Sequence, residues 1–183
     1  MVRFLFSRSY KLVWTKSFLE DMIALSQKLE NTFIVLRYKI INWVENEYFK
    51  KTFDKIHHCE NIILSNNYEE DYYSYKLCAH ADLIIAKATS IADECLSVGI
   101  PVLFHEYTQK IISNIPNYLP QELMCYNFEE LYQKSKTILF SDHSELEEKV
   151  KKVNKTIYFV NEKKDIKKKI LNDLENQLIK NKL

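Results

Sequence analysis

Residues 80–108 read HADLIIAKATSIADECLSVGIPVLFHEYT, and this stretch holds the clearest strand–helix–strand pattern of the chain. Asp82–Ala86 and Pro101–His105 are short apolar runs typical of buried strands. Between them, Thr89–Val98 has helical spacing, with hydroxyl residues at its start and Gly99 at its end, which is the preferred capping arrangement. We therefore expect a right-handed βαβ unit with parallel strands.

The rest of the chain repeats this alternation of strands and helices. Further strands are predicted at Phe4–Phe6, Thr32–Tyr38 and Asn61–Ser65. Further helices are predicted at Ser17–Leu29 (Ser17 as N-cap, Glu20 three residues later), Val44–His58, Glu69–Ala79, Phe128–Lys136, Glu145–Val153 and Asp165–Leu178. Alternating elements of these lengths predict an α/β fold. We expect one Rossmann-like three-layer domain over residues 1–183, with a parallel sheet and a C-terminal amphipathic helix within 160–183.

Charge and composition exclude several classes of function. The 183 residues carry a net charge of +1, which argues against a general nucleic-acid-binding protein. Gly99 is the single glycine, so glycine-rich phosphate loops are absent. The apolar run near the N-terminus is too short for a signal peptide or a membrane span, and we expect a cytoplasmic protein with no integral membrane segment.

The cysteines and histidines do not form a recognisable metal motif. The four cysteines, Cys59, Cys78, Cys95 and Cys125, have no C-x-x-C spacing and are expected to be buried thiols. The run His57-His58-Cys59 resembles a metal site but has no partners at ligand spacing. We expect no metal and no cofactor.

The turn between the two strands of the central motif is a candidate anion site. Lys87, Thr89 and Ser90 lie where a strand gives way to a helix N-terminus, whose N–H groups and dipole favour an anion. Glu94 lies one turn further along the same helix face and is placed to accept hydrogen bonds from a ribose diol. The alternative is that Thr89 or Ser90 only caps the helix and Glu94 is only a surface acid.

Other polar residues also follow predicted strands, at the edge where parallel sheets bind ligands. Arg37 and Lys39 would either neutralise a diphosphate or be two exposed charges. His105 is a candidate acid or base, and Glu106 a candidate ligand for a sugar hydroxyl, although a histidine at a strand end is more often structural.

Four tyrosines cluster before the strand at Asp82–Ala86. They are Tyr68, Tyr72, Tyr73 and Tyr75. One of them would pack on a nucleotide base, or all of them would serve ordinary packing, which their helical spacing favours.

The segment from Glu94 to Val102, ECLSVGIPV, resembles the acid-x-x-x-x-G-x-P-V signature in the C-terminal, donor-binding domain of GT-B glycosyltransferases and their relatives. Ala81–Ile85 resembles the strand that precedes it. Thr89-Ser90 lies where UDP-N-acetylglucosamine 2-epimerases have a glycine pair and polyol-phosphate (teichoic-acid) polymerases a serine pair. The resemblance implies a turn that holds donor phosphates and an acid, Glu94, that holds the ribose of a nucleotide sugar, as in bacterial surface polysaccharide synthesis.

The chain also departs from that pattern. Ala86 replaces the second acid of many retaining enzymes, and Arg37–Ile40 lacks the His and Pro of an R-x-H-P turn. The chain has room for one of the two GT-B halves, so an acceptor domain would have to be supplied in trans. Three hypotheses follow: a half or truncated glycosyltransferase, a non-catalytic partner subunit with a degenerate site, and an epimerase or polyol-phosphate transferase.

Overall fold

A computed structural model describes residues 2–3, 11–38, 46–65, 72–87, 89–107 and 120–141, together with residues 144 and 148. Within them, six parallel strands form one sheet in the order β3-β2-β1-β4-β5-β6. The strands are β1 Val2–Arg3, β2 Ile34–Arg37, β3 Ile62–Ser65, β4 Ile84–Ala86, β5 Val102–His105 and β6 Met124–Cys125. This order is that of a Rossmann-type sheet, and it reverses direction at β1.

The connections from β1 through β5 contain helices, as parallel pairing requires. The described helices are α1 Lys11–Lys28, α2 Lys50–His57, α3 Tyr73–Ala79, α4 Ser90–Ser97 and α5 Phe128–Phe140, with 3₁₀ turns at Glu47–Phe49 and Gln121–Leu123. The predicted α/β fold with a parallel sheet is therefore confirmed.

A separate apolar core packs against each side of the sheet. In β5, Leu103 belongs to the core formed with α1, α2 and α5, whereas Val102 and Phe104 belong to the core formed with α3 and α4. Neighbouring β4 divides in the same way, with Ile85 in the first core and Ile84 in the second. Burial on both faces explains why these strands read as continuous apolar runs instead of alternating ones.

The structure differs from the predicted elements at several boundaries. The first helix begins at Lys11, so Ser17 lies within α1 and the prediction that it caps the helix was wrong. The pair Met124–Cys125 forms a strand that was not predicted, because two residues are too few to show a pattern. Outside the described residues lie the predicted strand 4–6, much of the predicted helix 145–153 and all of the predicted helix 165–178.

The end of α4 follows the prediction made from Gly99. Gly99 has φ +86°, in the left-handed region. Its N–H bonds to the Leu96 carbonyl at 3.0 Å, and the Ile100 N–H bonds to the Cys95 carbonyl at 3.0 Å. This pair of bonds is the Schellman arrangement, which ends a helix by satisfying its last carbonyls. The turn sends the chain directly into β5.

We predict that Gly99→Ala lowers the free energy of unfolding by about 1–2 kcal/mol, because an L-residue is strained in this backbone region. A Cβ at Gly99 would meet no atom within 4 Å, so the loss reports backbone strain alone. Gly99→Asn should lose less, since Asn tolerates the left-handed region. Urea denaturation measures both variants, and equal losses for Ala and Asn would contradict this explanation.

Candidate functional site

The carboxyl ends of β4 and β5 lie side by side and bring two of the candidate residues, Lys87 and His105, to the same edge of the sheet. Ala86 of β4 pairs with Phe104 of β5, so Lys87 and His105, which follow them, come out at the same edge of the sheet. Consistent with this proximity, the positive charge of Lys87 is one of the influences on the pKa of His105. We call the group formed by Lys87, Thr89, His105 and Tyr107 the carboxyl-edge site.

His105 is the last residue of β5 and points toward α1. Its Nε2 lies 2.8 Å from Oδ2 of Asp21, and its ring centroid lies 4.8 Å from that of Phe18, also on α1. Only 2% of His105 is exposed. Burial lowers the pKa of His105 from its ordinary value of 6.5, and Asp21 opposes this effect only in part. The imidazole is therefore neutral near pH 7.

The hydrogen bond to Asp21 assigns the proton of this neutral ring. A carboxylate can only accept, so Nε2–H must donate and Nδ1 must carry the lone pair. Nδ1 of His105 is buried and has no hydrogen-bond partner within the part of the chain that the structure describes. His105 thus presents one satisfied and one unsatisfied nitrogen.

Tyr107 covers one face of the imidazole. The two rings stack with centroids 3.6 Å apart and an interplanar angle of 24°. The Tyr107 hydroxyl is buried and meets no partner at full hydrogen-bond geometry among the described residues, although the Asp21 carboxylate lies close enough to act on it. Burial, together with the nearby Asp21 charge, raises the pKa of Tyr107, so this hydroxyl stays protonated and can donate.

Thr89 lies at the N-cap position of α4 but does not cap it. Its backbone is extended, with φ −153° and ψ 134°, and its carbonyl accepts from the Ala92 N–H at 3.0 Å. The side chain makes no cap hydrogen bond, and its Oγ1 is buried without a partner in the described structure. The interpretation that Thr89 serves as an ordinary side-chain cap does not fit this geometry.

Unsatisfied buried polar atoms concentrate at the carboxyl-edge site. Four buried side-chain atoms of the described residues have no hydrogen-bond partner: Thr89 Oγ1, His105 Nδ1, Tyr107 Oη and Ser135 Oγ in α5. Thr89 follows β4, His105 is the last residue of β5, and Tyr107 follows β5. Each such atom costs about 1–3 kcal/mol. Their concentration at the edge where parallel sheets bind ligands marks a place where a ligand would supply the missing hydrogen bonds.

The remaining predicted residues of the central motif are less enclosed. Ser90 and Glu94 are both exposed on α4, which leaves them accessible to a ligand at its first turns. Glu106 is buried, and its N–H bonds to the Cys125 carbonyl at 2.8 Å, which continues the pairing of β5 with β6. Lys39 lies outside the described residues.

Arg37 occupies a structural position at the ends of β2 and β3. It is buried, and its Nη1 donates to the carbonyls of Tyr38 at 3.1 Å and Ser65 at 3.2 Å. The guanidinium also lies 5.5 Å from the ring centroid of Tyr73. The alternative of an exposed charge was wrong for Arg37, which is buried and bonds to carbonyls at the strand ends, and a role toward a diphosphate stays a prediction.

The tyrosine cluster is only partly described. Tyr72 and Tyr75 are exposed, with ring centroids 6.2 Å apart, and Tyr72 has a left-handed backbone with φ 61°. Tyr68 lies outside the described residues. The described tyrosines therefore stay candidates for stacking on a base without a geometry that selects one.

The histidine pair and the cysteines have ordinary surroundings. Nδ1 of His57 bonds to the Phe53 carbonyl at 2.8 Å, and Nδ1 of His58 to the Asp54 carbonyl at 2.5 Å. The described residues contain no group of three or more His, Cys, Asp or Glu side chains suited to a metal. All four cysteines are free, and each is buried except the half-buried Cys59.

A cleft of about 820 Å³ opens at the opposite edge of the sheet, before β2 and β4. Its lining is mainly apolar and includes Leu29, Phe33, Leu77 and Phe140. None of the unsatisfied polar atoms lies in it. The cleft therefore offers volume but no unsatisfied buried polar atom. The unsatisfied atoms at the carboxyl edge favour that edge as the candidate site.

The sequence did not predict a role for Tyr107 of the carboxyl-edge site or for Asp21, which bonds to it through His105. Asp21 reads as part of the polar side of a helix, and its partner lies 84 positions away. Tyr107 appears only as the residue after two candidates. The alternation of side chains along β5 could have predicted the direction of His105. Because His105 lies two residues after Leu103, it must face the same side of the sheet, toward the helices of the first core.

Comparison with known proteins finds no family model that matches the chain and no curated protein similar to it in sequence. No helix in the described ranges is both long enough and apolar enough to cross a membrane.

The lowered pKa of His105 predicts that stability falls in acid. The unfolded chain takes up a proton near pH 6.5, whereas the folded chain resists it to a lower pH. The stabilisation is therefore complete above that pH and is lost as the pH falls below it. Urea denaturation at about pH 7.5 and about pH 5.5 should show a smaller pH effect for His105→Gln than for wild type.

His80→Gln, which removes an exposed histidine, is the matched control for this measurement. The difference in pH dependence between the two variants isolates the buried group. If both variants lose stability in acid by the same amount, His105 is not the residue responsible.

Proposed function

We propose that the carboxyl-edge site binds the diphosphate of a nucleotide-activated sugar, and that the chain is the donor-binding part of a glycosyltransferase-like protein. The observation that carries this proposal is the buried, unpartnered hydroxyl of Thr89 at the start of α4. A hydroxyl in that place ordinarily caps its own helix, and this one is left available to a ligand.

The chemistry around Thr89 suits an anion. The first turn of a helix has backbone N–H groups with no intrahelical partner and the positive end of the helix dipole. The eight-residue α4 supplies both, and Lys87 adds a positive charge just before it. A phosphate oxygen accepting from the Thr89 hydroxyl and from these N–H groups would satisfy several donors at once.

The arrangement of α4 also fits a larger ligand than phosphate alone. Glu94 is exposed one turn beyond Ser90, where its carboxylate would accept hydrogen bonds from the hydroxyls of a ribose. The resemblance of residues 81–107 to GT-B donor domains implies the same division of roles. Transfer itself would need an acceptor-binding part from a second domain or subunit.

The proposal predicts an unusual pair of effects for Thr89→Val. Replacing an unpartnered buried hydroxyl with a methyl group should leave the free energy of unfolding unchanged or raise it, because no hydrogen bond is lost. The same change should weaken binding of a nucleoside diphosphate by about tenfold or more, since a hydrogen bond to a charged group is lost. Calorimetry with UDP, GDP and ADP, and urea denaturation, measure the two effects.

Thr32→Val is the matched control. The Thr32 hydroxyl donates to the Leu29 carbonyl at 2.7 Å, and the residue lines the cleft at the opposite edge. This variant should lose stability but keep its affinity. Weaker binding in Thr32→Val with unchanged binding in Thr89→Val would move the site to that cleft, and wild type that binds no nucleotide at millimolar concentration would refute the proposal.

A further inference from the structure

We propose that Asp21 is a positioning residue that keeps Nδ1 of His105 unprotonated, so that this nitrogen accepts a hydrogen bond from a hydroxyl of the ligand at the carboxyl-edge site. This inference rests on the proposed function, which supplies the ligand, and adds a second contact point to it. It gives His105 a specificity role through an atom that has no partner in the described structure.

The first step is the orientation of the ring. The 2.8 Å bond from Nε2–H to Asp21 Oδ2 fixes which nitrogen carries the proton. Phe18 and Tyr107 lie near the imidazole, with ring centroids 4.8 Å and 3.6 Å from it. Three neighbours thus hold the ring, and the direction of the Nδ1 lone pair is set before any ligand arrives.

The second step is the chemistry that this lone pair requires. An unprotonated imidazole nitrogen accepts and cannot donate, so phosphate and carboxylate oxygens are unsuitable partners for it. The charge of Lys87 acts on His105 and disfavours a cationic ligand group nearby. A neutral donor remains, and the hydroxyls of a sugar are the donors that a nucleotide sugar carries in greatest number.

The third step is the approach. The lone pair of Nδ1 lies in the plane of the ring, whereas Tyr107 stacks on its face at an interplanar angle of 24°. Tyr107 therefore covers the ring without occupying the in-plane direction. Because Nδ1 is buried, a ligand hydroxyl would reach it only when a neighbouring side chain moves, and Tyr107 is partly exposed and lies beyond the end of β5.

The test compares wild type with Asp21→Asn. An asparagine amide can donate to Nε2, which would move the ring proton to Nδ1 and turn this nitrogen from acceptor to donor. Two-bond ¹H–¹⁵N correlation spectra of ring-labelled histidine should show protonation at Nε2 in wild type and at Nδ1 in the variant. Loss of one signal in His105→Gln assigns it among the five histidines.

Binding is measured with UDP-glucose, GDP-mannose and ADP-glucose, which carry sugar hydroxyls. Inorganic pyrophosphate, which contains no sugar, is the comparison ligand. For the sugar nucleotide that wild type binds, Asp21→Asn should lower the affinity by about tenfold. The affinity for pyrophosphate should change by less than about twofold. His105→Gln, which keeps an N–H toward Asp21 but has no Nδ1, should show the same split if Asp21→Asn folds poorly.

Glu20→Gln is the control for charge, because it removes a carboxylate from the exposed side of the same helix. It should change neither affinity. Equal loss of sugar nucleotide and pyrophosphate in Asp21→Asn, or a wild-type ring protonated on Nδ1, would overturn the inference and leave diphosphate binding intact. If wild type binds none of the probes at millimolar concentration, the proposed function fails and this inference fails with it.

Discussion

The pairing of β4 with β5 is the constraint on which the candidate site depends. Ile84, Ile85 and Ala86 lie opposite Val102, Leu103 and Phe104, and this register sets which residues emerge beside each other at the carboxyl edge. Because side chains alternate across a strand, a slip of one residue would turn His105 from α1 toward α4. Burial of both strands on both faces opposes such a slip, so the apolar cores hold the polar site in place.

At the candidate site, buried polar side chains have no hydrogen-bond partner among the described residues, although the fold supplies such partners elsewhere. Asn127 shows the ordinary solution: its side chain accepts from the Glu130 N–H at 2.9 Å and caps α5. Thr89 has the equivalent position on α4 and makes no such bond. The comparison shows that a polar side chain in this position can cap a helix of this chain, and that Thr89 does not do so.

Local sequence patterns predicted the strands and the helix that carry the site. They did not predict the start of α1 or the partner of His105. The strand–helix–strand segment was predictable because buried strands, hydroxyl residues and Gly99 each act within a few residues. The start of α1 at Lys11 was not, because Ser17 and Glu20 imitate a capping box inside the helix. The partner of His105 was also hidden, since only the folded sheet brings Asp21 to it.

The contact between Asp21 and His105 has a further consequence for how the chain reaches its fold. It joins positions 84 residues apart, so it raises the contact order of the domain. Helix α1 is held by bonds between residues four positions apart, whereas the bond between Asp21 and His105 joins residues 84 positions apart. Closing so long a loop costs more chain entropy than closing the short loops between neighbouring elements.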